Sequence, residues 1–188
     1  MHLSRAGYYA DFVIYPFLVL VLSAIALGRT APHAWVEWFS ACVLGIAIWT
    51  LSEYVFHRFL LHDVPYFARM HNEHHADPTG FVGTPTWLSF AVIVGGILLP
   101  LWWSTNFDFA SGLTTGFSGG YLWYVGIHHA VHHWRIKEGT YLFHAKRRHA
   151  LHHFARQSCN FGVTSGFWDR VFGTVFETRR ADESVLSP

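Results

Sequence analysis

The chain has 188 residues, 52% apolar, 18% aromatic and only 13% charged, about half the charged share of a water-soluble domain. That balance excludes a disordered chain, which is charge-rich and poor in aromatics, and a net charge of +1 gives no electrostatic basis for a nucleic-acid partner. Two distant cysteines, Cys42 and Cys159, exclude a disulfide framework or a cysteine metal site, so the fifteen histidines become the candidates for chemistry.

In chain order, the first apolar stretch runs from Phe12 to Gly28 without a charge. Ala24-Ile25-Ala26 imitates a signal-peptide cleavage site. The run is long for a signal peptide, however, and three more apolar stretches follow, so it reads as a membrane anchor. The second stretch, Ala34 to Thr50, carries only Glu37, and the third, Trp87 to Trp103, carries no charge. The fourth, Phe109 to Ile127, is weaker because it holds Ser111, Thr114, Thr115 and Ser118. A spanning helix needs roughly 17–25 predominantly apolar residues. Gly112, Gly116 and Gly120 recur every four residues in the fourth stretch. They form a small-residue face suited to close helix packing in lipid, with a groove for a substrate chain as the other use.

Charge placement supports four crossings. With four, the loops Arg29–His33 and Ser104–Asp108 lie on one side. Twelve of the thirteen Lys and Arg then lie on the other, with Arg29 the exception. The positive-inside rule places that basic side, and both termini, in the cytoplasm. Trp35, Trp38, Trp102 and Trp103 collect near the opposite face as an aromatic belt. The expected fold is all-α: a four-span transmembrane helical bundle with a cytoplasmic, histidine-rich helical cap. It forms one membrane-embedded domain over residues 1–188, with spans at about 12–28, 34–50, 87–103 and 109–127 and a polar, frayed tail from Glu177 to Pro188.

Thirteen histidines lie between His57 and His153, all on the cytoplasmic side of this topology. They occur as HRFLLH (His57, His62), HNEHH (His71, His74, His75), HHAVHH (His128, His129, His132, His133) and HAKRRHALHH (His144, His149, His152, His153). Residues at i, i+3 and i+4 share one helix face, so each triplet can point two or three imidazoles at one place. His57 and His62, five apart, diverge by roughly 140° on an α-helix; unless the helix ends between them they share no face, so the reading is that they serve two different ions. Imidazole suits Fe, Zn, Cu and Ni, and the number of rings is enough for two ions. Carboxylates are too few to bridge a metal pair. Glu53, Glu73, Asp77 and Asp169 are instead the candidates to orient ligand rings through their second N–H, with a solvated or structural role the favoured reading for each one individually. His144 is expected to be a neighbour of the site, and His2 and His33 surface residues. Lys146-Arg147-Arg148 reads as a solvated face meeting anionic lipid head groups.

The pattern resembles the fatty acid hydroxylase superfamily, also called the sterol desaturase family, over most of the chain from Trp49 to Thr174. It does so through HRFLLH, HNEHH, FVGTPTWLS, HHAVHH, and HALHH followed by NFGVTSGFWDRVFGT; this last segment most resembles the fatty acid 2-hydroxylase branch. The resemblance implies metal ligands at His57, His62, His71, His74, His75, His128, His132, His133, His149, His152 and His153. His129 stands where that branch usually has tyrosine.

The same resemblance implies two iron ions, with zinc able to occupy the site after purification. It further implies O2-dependent hydroxylation of a membrane lipid C–H bond, near the head group of an acyl chain, with no catalytic side chain beyond the ligands. A carotenoid or sterol hydroxylase or desaturase of the same superfamily is the alternative, since carotenoid hydroxylases also have histidines five apart followed by arginine, as at His128, His133 and Arg135. A membrane metal carrier or sensor is the non-enzyme alternative, but it would favour ligands within the spans. With no GxGxxG motif and no cysteine set for an iron–sulfur centre, electrons are expected from a separate donor protein.

Overall fold

The computed structural model describes residues 2–28, 32–155 and 158–177. Expectations resting on Arg29 and on the tail beyond Glu177 lie outside those residues. A short helix α1 (Arg5–Tyr9), capped by the Ser4 hydroxyl accepting from the Gly7 N–H at 3.0 Å, leads into α2 (Asp11–Leu27). Helix α3 (Pro32–Val55) continues through a π-helical turn, Phe56–Leu60, into α4 (Leu61–Asp63). After α5 (Pro65–Ala76), helix α6 (Thr86–Phe90) runs through a π-helical stretch, Ala91–Leu98, into α7 (Leu99–Ser104). Helices α8 (Phe107–His133), α9 (Tyr141–Phe154) and α10 (Phe167–Val171) complete the order. The fold is all-α, as the sequence predicts, and no strand occurs among the described residues.

Three helical rods are long and apolar enough to cross a membrane: Arg5–Leu27, His33–Asp63 and Thr86–Ser104. They expose large apolar side chains such as Phe17, Leu20, Val43 and Val92, as helices facing lipid do. The fourth expected span lies within α8 and has a different character. Fourteen of its 27 residues are buried, among them Ser111, Thr114, Thr115 and Ser118, and it packs against α2 and α3. Its weak apolarity follows from that position, because a helix enclosed by other helices has little need to be soluble in hydrocarbon.

Close approach to α3 explains the glycines. A Cβ on Gly112 would run into the Trp38 carbonyl oxygen and one on Gly116 into that of Cys42. On the facing helix, a Cβ on Gly45 would strike the Leu113 carbonyl. The small-residue stripe is therefore a helix–helix contact. Trp38 correspondingly turns inward and is buried, whereas Trp35, Trp102 and Trp103 are exposed. Tyr15, Trp49, Ile93 and Phe117 form a buried cluster at the centre, with the Trp49 and Phe117 rings edge to face at 5.1 Å. At 1.5 Å per residue, α8 is about 40 Å long, against a hydrocarbon core of about 30 Å. Were α8 to cross such a core, the C-terminal turns that carry the histidines would have length to spare.

Candidate metal centre

The imidazoles gather where the π turn after α3, α5, the end of α8 and the end of α9 meet, and they divide into two groups. In the first, His57, His62, His71 and His152 offer ring nitrogens that all lie within 4.8 Å of one another. His75 joins them, its Nε2 lying 3.0 Å from that of His71 and 3.1 Å from that of His152. In the second, His74, His132, His149 and His153 converge equally closely. The His128 ring lies 4.7 Å from His74 and 4.8 Å from His132 and His149, centroid to centroid.

The division follows from helix geometry. Within HNEHH, the pair four apart, His71 and His75, serves the first group while His74 turns to the second. Within HALHH the assignment is reversed: His149 and His153 serve the second group and His152 the first. On α8, His128 and His132, also four apart, both face the second. His57 and His62 would diverge on an α-helix, yet they share the first group with rings stacked at 5.5 Å. The Leu61 N–H bonds to the Phe56 carbonyl, an i to i+5 register, and a π turn brings residues five apart into line. The expectation that these two histidines serve different ions is thereby corrected.

Two rings have a fixed tautomer. His57 Nδ1 donates to the Phe161 carbonyl at 2.5 Å and His152 Nδ1 to the Cys159 carbonyl at 2.8 Å. With the proton on Nδ1, Nε2 presents a bare lone pair. The Nε2 atom of His57 nevertheless lies 3.1 Å from Nε2 of His71, and in the second group Nε2 of His149 lies 2.8 Å from that of His132 and 3.1 Å from that of His153. Facing Nε2 atoms at such spacing either share a proton in a hydrogen bond or hold a cation between them. Imidazole nitrogens bound about 2.1 Å from one ion stand roughly 3.0–3.4 Å apart, so the donor set fits two ions with nitrogen-rich coordination.

Electrostatics agree. Burial, reinforced by neighbouring imidazoles, lowers His74 and His152 to about 3, His75 to about 4 and His153 to about 2. It lowers His71 and His149 as well. The rings are neutral at physiological pH, the state in which imidazole ligates metal.

Glu53 and Asp169 take the structural role favoured for each carboxylate individually, and not that of direct acceptors from ligand rings. Glu53 is buried and makes no hydrogen bond to an imidazole among the described residues. It accepts from the backbone N–H of Val163 and Thr164 at 2.8 Å each and from the Thr164 hydroxyl at 2.6 Å. Buried Asp169 accepts from the N–H of Phe161 and Gly162 at 2.8 Å each and from the Thr174 hydroxyl at 2.7 Å. Together they clamp the loop whose carbonyls hold His57 and His152. Asn160, between those two carbonyls, adopts a left-handed φ of 54°, which asparagine tolerates. Its side chain bonds both the N–H and the carbonyl of Phe176 at 2.9 Å. Asp77 instead accepts from Thr79 Oγ1 within its own turn, and Glu73 is half-buried on α5.

Arg148 departs from the solvated face expected of the basic run. It donates from Nε to the Gly162 carbonyl and from a terminal nitrogen to that of Val163, each at 3.0 Å.

His133 is the one expected ligand that stands apart. One residue beyond His132 on a helix, its ring points about 100° away. It is exposed, stacked on His129 at 4.4 Å, and its Nε2 lies 3.4 Å from the Tyr8 hydroxyl. His129 Nδ1 lies 3.1 Å from the same hydroxyl. His144 is exposed on α9 and lines a separate cleft with Arg147, Arg148 and Arg170; His2 and His33 are exposed. A cavity of about 110 Å³ adjoins the metal groups, lined by His71, His74, His128, Tyr8, Asp11, Tyr121 and Tyr124, among others. Sequence reasoning did not single out Tyr8, Asp11 or Tyr121, because tyrosine and a single aspartate beside an apolar run carry no spacing signal.

A profile of the fatty acid hydroxylase family matches residues 42–174 of the chain. The chain belongs to the fatty acid hydroxylase family. It is 33% identical to a dihydroceramide fatty acyl 2-hydroxylase of Arabidopsis thaliana, over 92% of this chain and 75% of that protein. It is 34% identical to a ceramide very long chain fatty acid hydroxylase of Saccharomyces cerevisiae over 72% of this chain, and 32% identical to human fatty acid 2-hydroxylase over 71%. In both of these the match covers 38% of the relative's length. Among solved structures, the hydroxylase domain of full-length scs7p superposes with a TM-score of 0.75 at 27% identity, over 91% of this chain and 67% of that one.

Proposed function

We propose that the chain is a membrane-bound non-haem di-iron oxygenase that hydroxylates a lipid acyl chain at the carbon next to its head-group linkage, the 2-position. The observation that carries this reading is the division of ten imidazoles into two facing groups of five. The family's name and those of the relatives support it. The ligand set would be His57, His62, His71, His75 and His152 for one ion, and His74, His128, His132, His149 and His153 for the other. Bound iron supplies the O2-activating chemistry, drawing on external electrons, that no side chain provides.

The chain's own residues hold, orient and exclude. The Cys159 and Phe161 carbonyls keep two rings in the tautomer that ligates. Glu53, Asp169 and Arg148 hold the loop that carries those carbonyls. The small cavity against His71, His74 and His128 receives the reacting carbons while limiting water. We place four crossings in one domain, with both termini and the metal groups cytoplasmic, supported by the basic residues gathered on the ligand-bearing side. A separate protein delivers the electrons.

Reconstitution with a reductase, ¹⁸O2 and defined lipids tests the reaction. The expected product is an acyl chain heavier by one labelled oxygen at the 2-position. Label on a carotenoid or sterol ring, with acyl chains untouched, would transfer the chain to another activity of the superfamily. Elemental analysis of folded protein should give two metal ions per chain. Reporter fusions after His33, Asp77 and Pro188 should read outside, inside, inside.

A further inference from the structure

Three arginines behind the loop that pins His57 and His152 share a space that the ligand scheme leaves unused. Arg147 and Arg148 on α9 and Arg170 on α10 line a cleft of about 410 Å³, with His144 beside them and Asn160 in its wall. Among the described lining residues Glu177 is the one carboxylate. Burial lowers the Arg148 guanidinium from its ordinary range, and the like charge of Arg170 acts in the same direction. Positive charge gathered in this way is relieved by an anion, and the paired N–H donors of guanidinium match phosphate oxygens.

The depth of α10 indicates which phosphate. Trp168 Nε1 donates to the Thr50 hydroxyl at 3.2 Å and the Phe172 ring stacks on Tyr54 at 5.1 Å, so α10 lies level with the ligand-bearing end of the α3 crossing. This segment exposes Phe167, Val171 and Phe172 there, and aromatic residues collect where a bilayer meets water. Head groups occupy about 5–7 Å beyond the hydrocarbon core on each side, and Arg170, two residues from Trp168 on the same helix, falls at that level. Val175, in the cleft wall, is exposed as well and offers apolar surface to the start of an acyl chain.

We propose that the cleft is a binding site for the phosphate head group of an anionic membrane phospholipid, held by Arg147 and Arg170. This lipid is not the one that reacts, because the cleft and the cavity against His71, His74 and His128 are lined by different residues. Arg148 and Asn160 belong both to the cleft and to the loop over residues 159–163: Arg148 donates to the Gly162 and Val163 carbonyls, and Asn160 bonds Phe176. A bound head group therefore stiffens the loop behind His57 and His152. The inference needs α3 to cross the bilayer and does not depend on the hydroxylase reading.

Native mass spectrometry of the full, zinc-loaded chain in detergent, titrated with phosphatidylglycerol against phosphatidylcholine, tests it. One phosphatidylglycerol per chain should be retained in preference to phosphatidylcholine. Arg170→Gln should weaken that binding about 5-fold and Arg147→Gln with Arg170→Gln about 25-fold, at roughly 5-fold per basic residue at a membrane surface. Lys137→Gln, an exposed charge away from the cleft, should leave it unchanged. Equal loss in Lys137→Gln would mean diffuse attraction without a site, and would overturn the proposal. Glycerol 3-phosphate, which carries the phosphate without the acyl chains, should not displace the lipid at equal concentration; displacement would reassign the cleft to a soluble anion. Thermal midpoints report folding of the variants. Should the double variant fail to fold, hydrogen exchange of the native chain decides. Phosphatidylglycerol in place of phosphatidylcholine should slow exchange over residues 159–170, and no slowing would overturn the proposal.

Discussion

The two histidine groups are alike in composition and unlike in support. In the first, two rings are pinned through Nδ1 to backbone carbonyls, and those carbonyls belong to a loop that two buried carboxylates and Arg148 hold in place. In the second, the Nδ1 atoms of His74, His149 and His153 are buried without a hydrogen-bond partner among the described residues. Groups that orient a ligand ring ordinarily contribute 10–100-fold to metal affinity. The same donor chemistry therefore gives one site organised before metal arrives and another that metal itself must organise. The first group should fill first and exchange slowly, the second the reverse.

The largest expected effect comes from the ligands. His57→Ala and His149→Ala should each lower metal content from two ions per chain towards one and abolish hydroxylation, as measured by elemental analysis and product mass spectrometry. Equal loss of both ions from either variant would show that the groups are one cooperative site. Next come the groups behind the rings. Asp169→Ala should weaken retention of the first ion by about 10–100-fold against a chelator while leaving the second unchanged. Glu53→Gln should act in the same direction. Loss of the second ion instead would reverse the comparison.

Acid should expose what both groups share. Burial lowers His74, His75, His152 and His153 to between about 2 and 4 in the folded chain, whereas unfolded histidine titrates near 6.5. Below pH of about 6.5 the unfolded chain therefore binds more protons than the folded one, and stability rises with pH. Metal-free protein in detergent should show a thermal midpoint that falls as pH drops from 7 to 5 and is flat above 7. A midpoint independent of pH over that interval would mean the rings are already solvated without metal. The smallest effect belongs to the histidine outside both groups: His133→Ala should leave metal content unchanged.

Much of this was legible in the sequence because apolar runs and i, i+3, i+4 spacing report directly on helices and their faces. The all-α fold, the packing role of Gly112 and Gly116, and the gathering of HNEHH, HHAVHH and HALHH all follow from those rules. The sorting of rings did not. Faces defined by 3.6-residue turns do not distinguish His74 from His75, and they separate His57 from His62, which the π turn at Phe56–Leu60 reunites. Glu53 was legible as a residue one turn before His57. Its action through Val163 and Thr164 depends on a contact more than a hundred positions away, which local spacing does not encode.

The buried hydroxyls and glycines of α8 also bear on how the chain is made. A helix carrying Ser111, Thr114, Thr115 and Ser118 on buried positions gains less from hydrocarbon than its neighbours do, because its partners are other helices. Insertion one segment at a time would leave α8 poorly committed to the bilayer, whereas α3, already in place, offers the surface that Gly112 and Gly116 fit. Biogenesis of this protein is therefore expected to be ordered, with α8 recruited by the helices that precede it. The metal-binding end of α8 would reach its depth only after that pairing has formed.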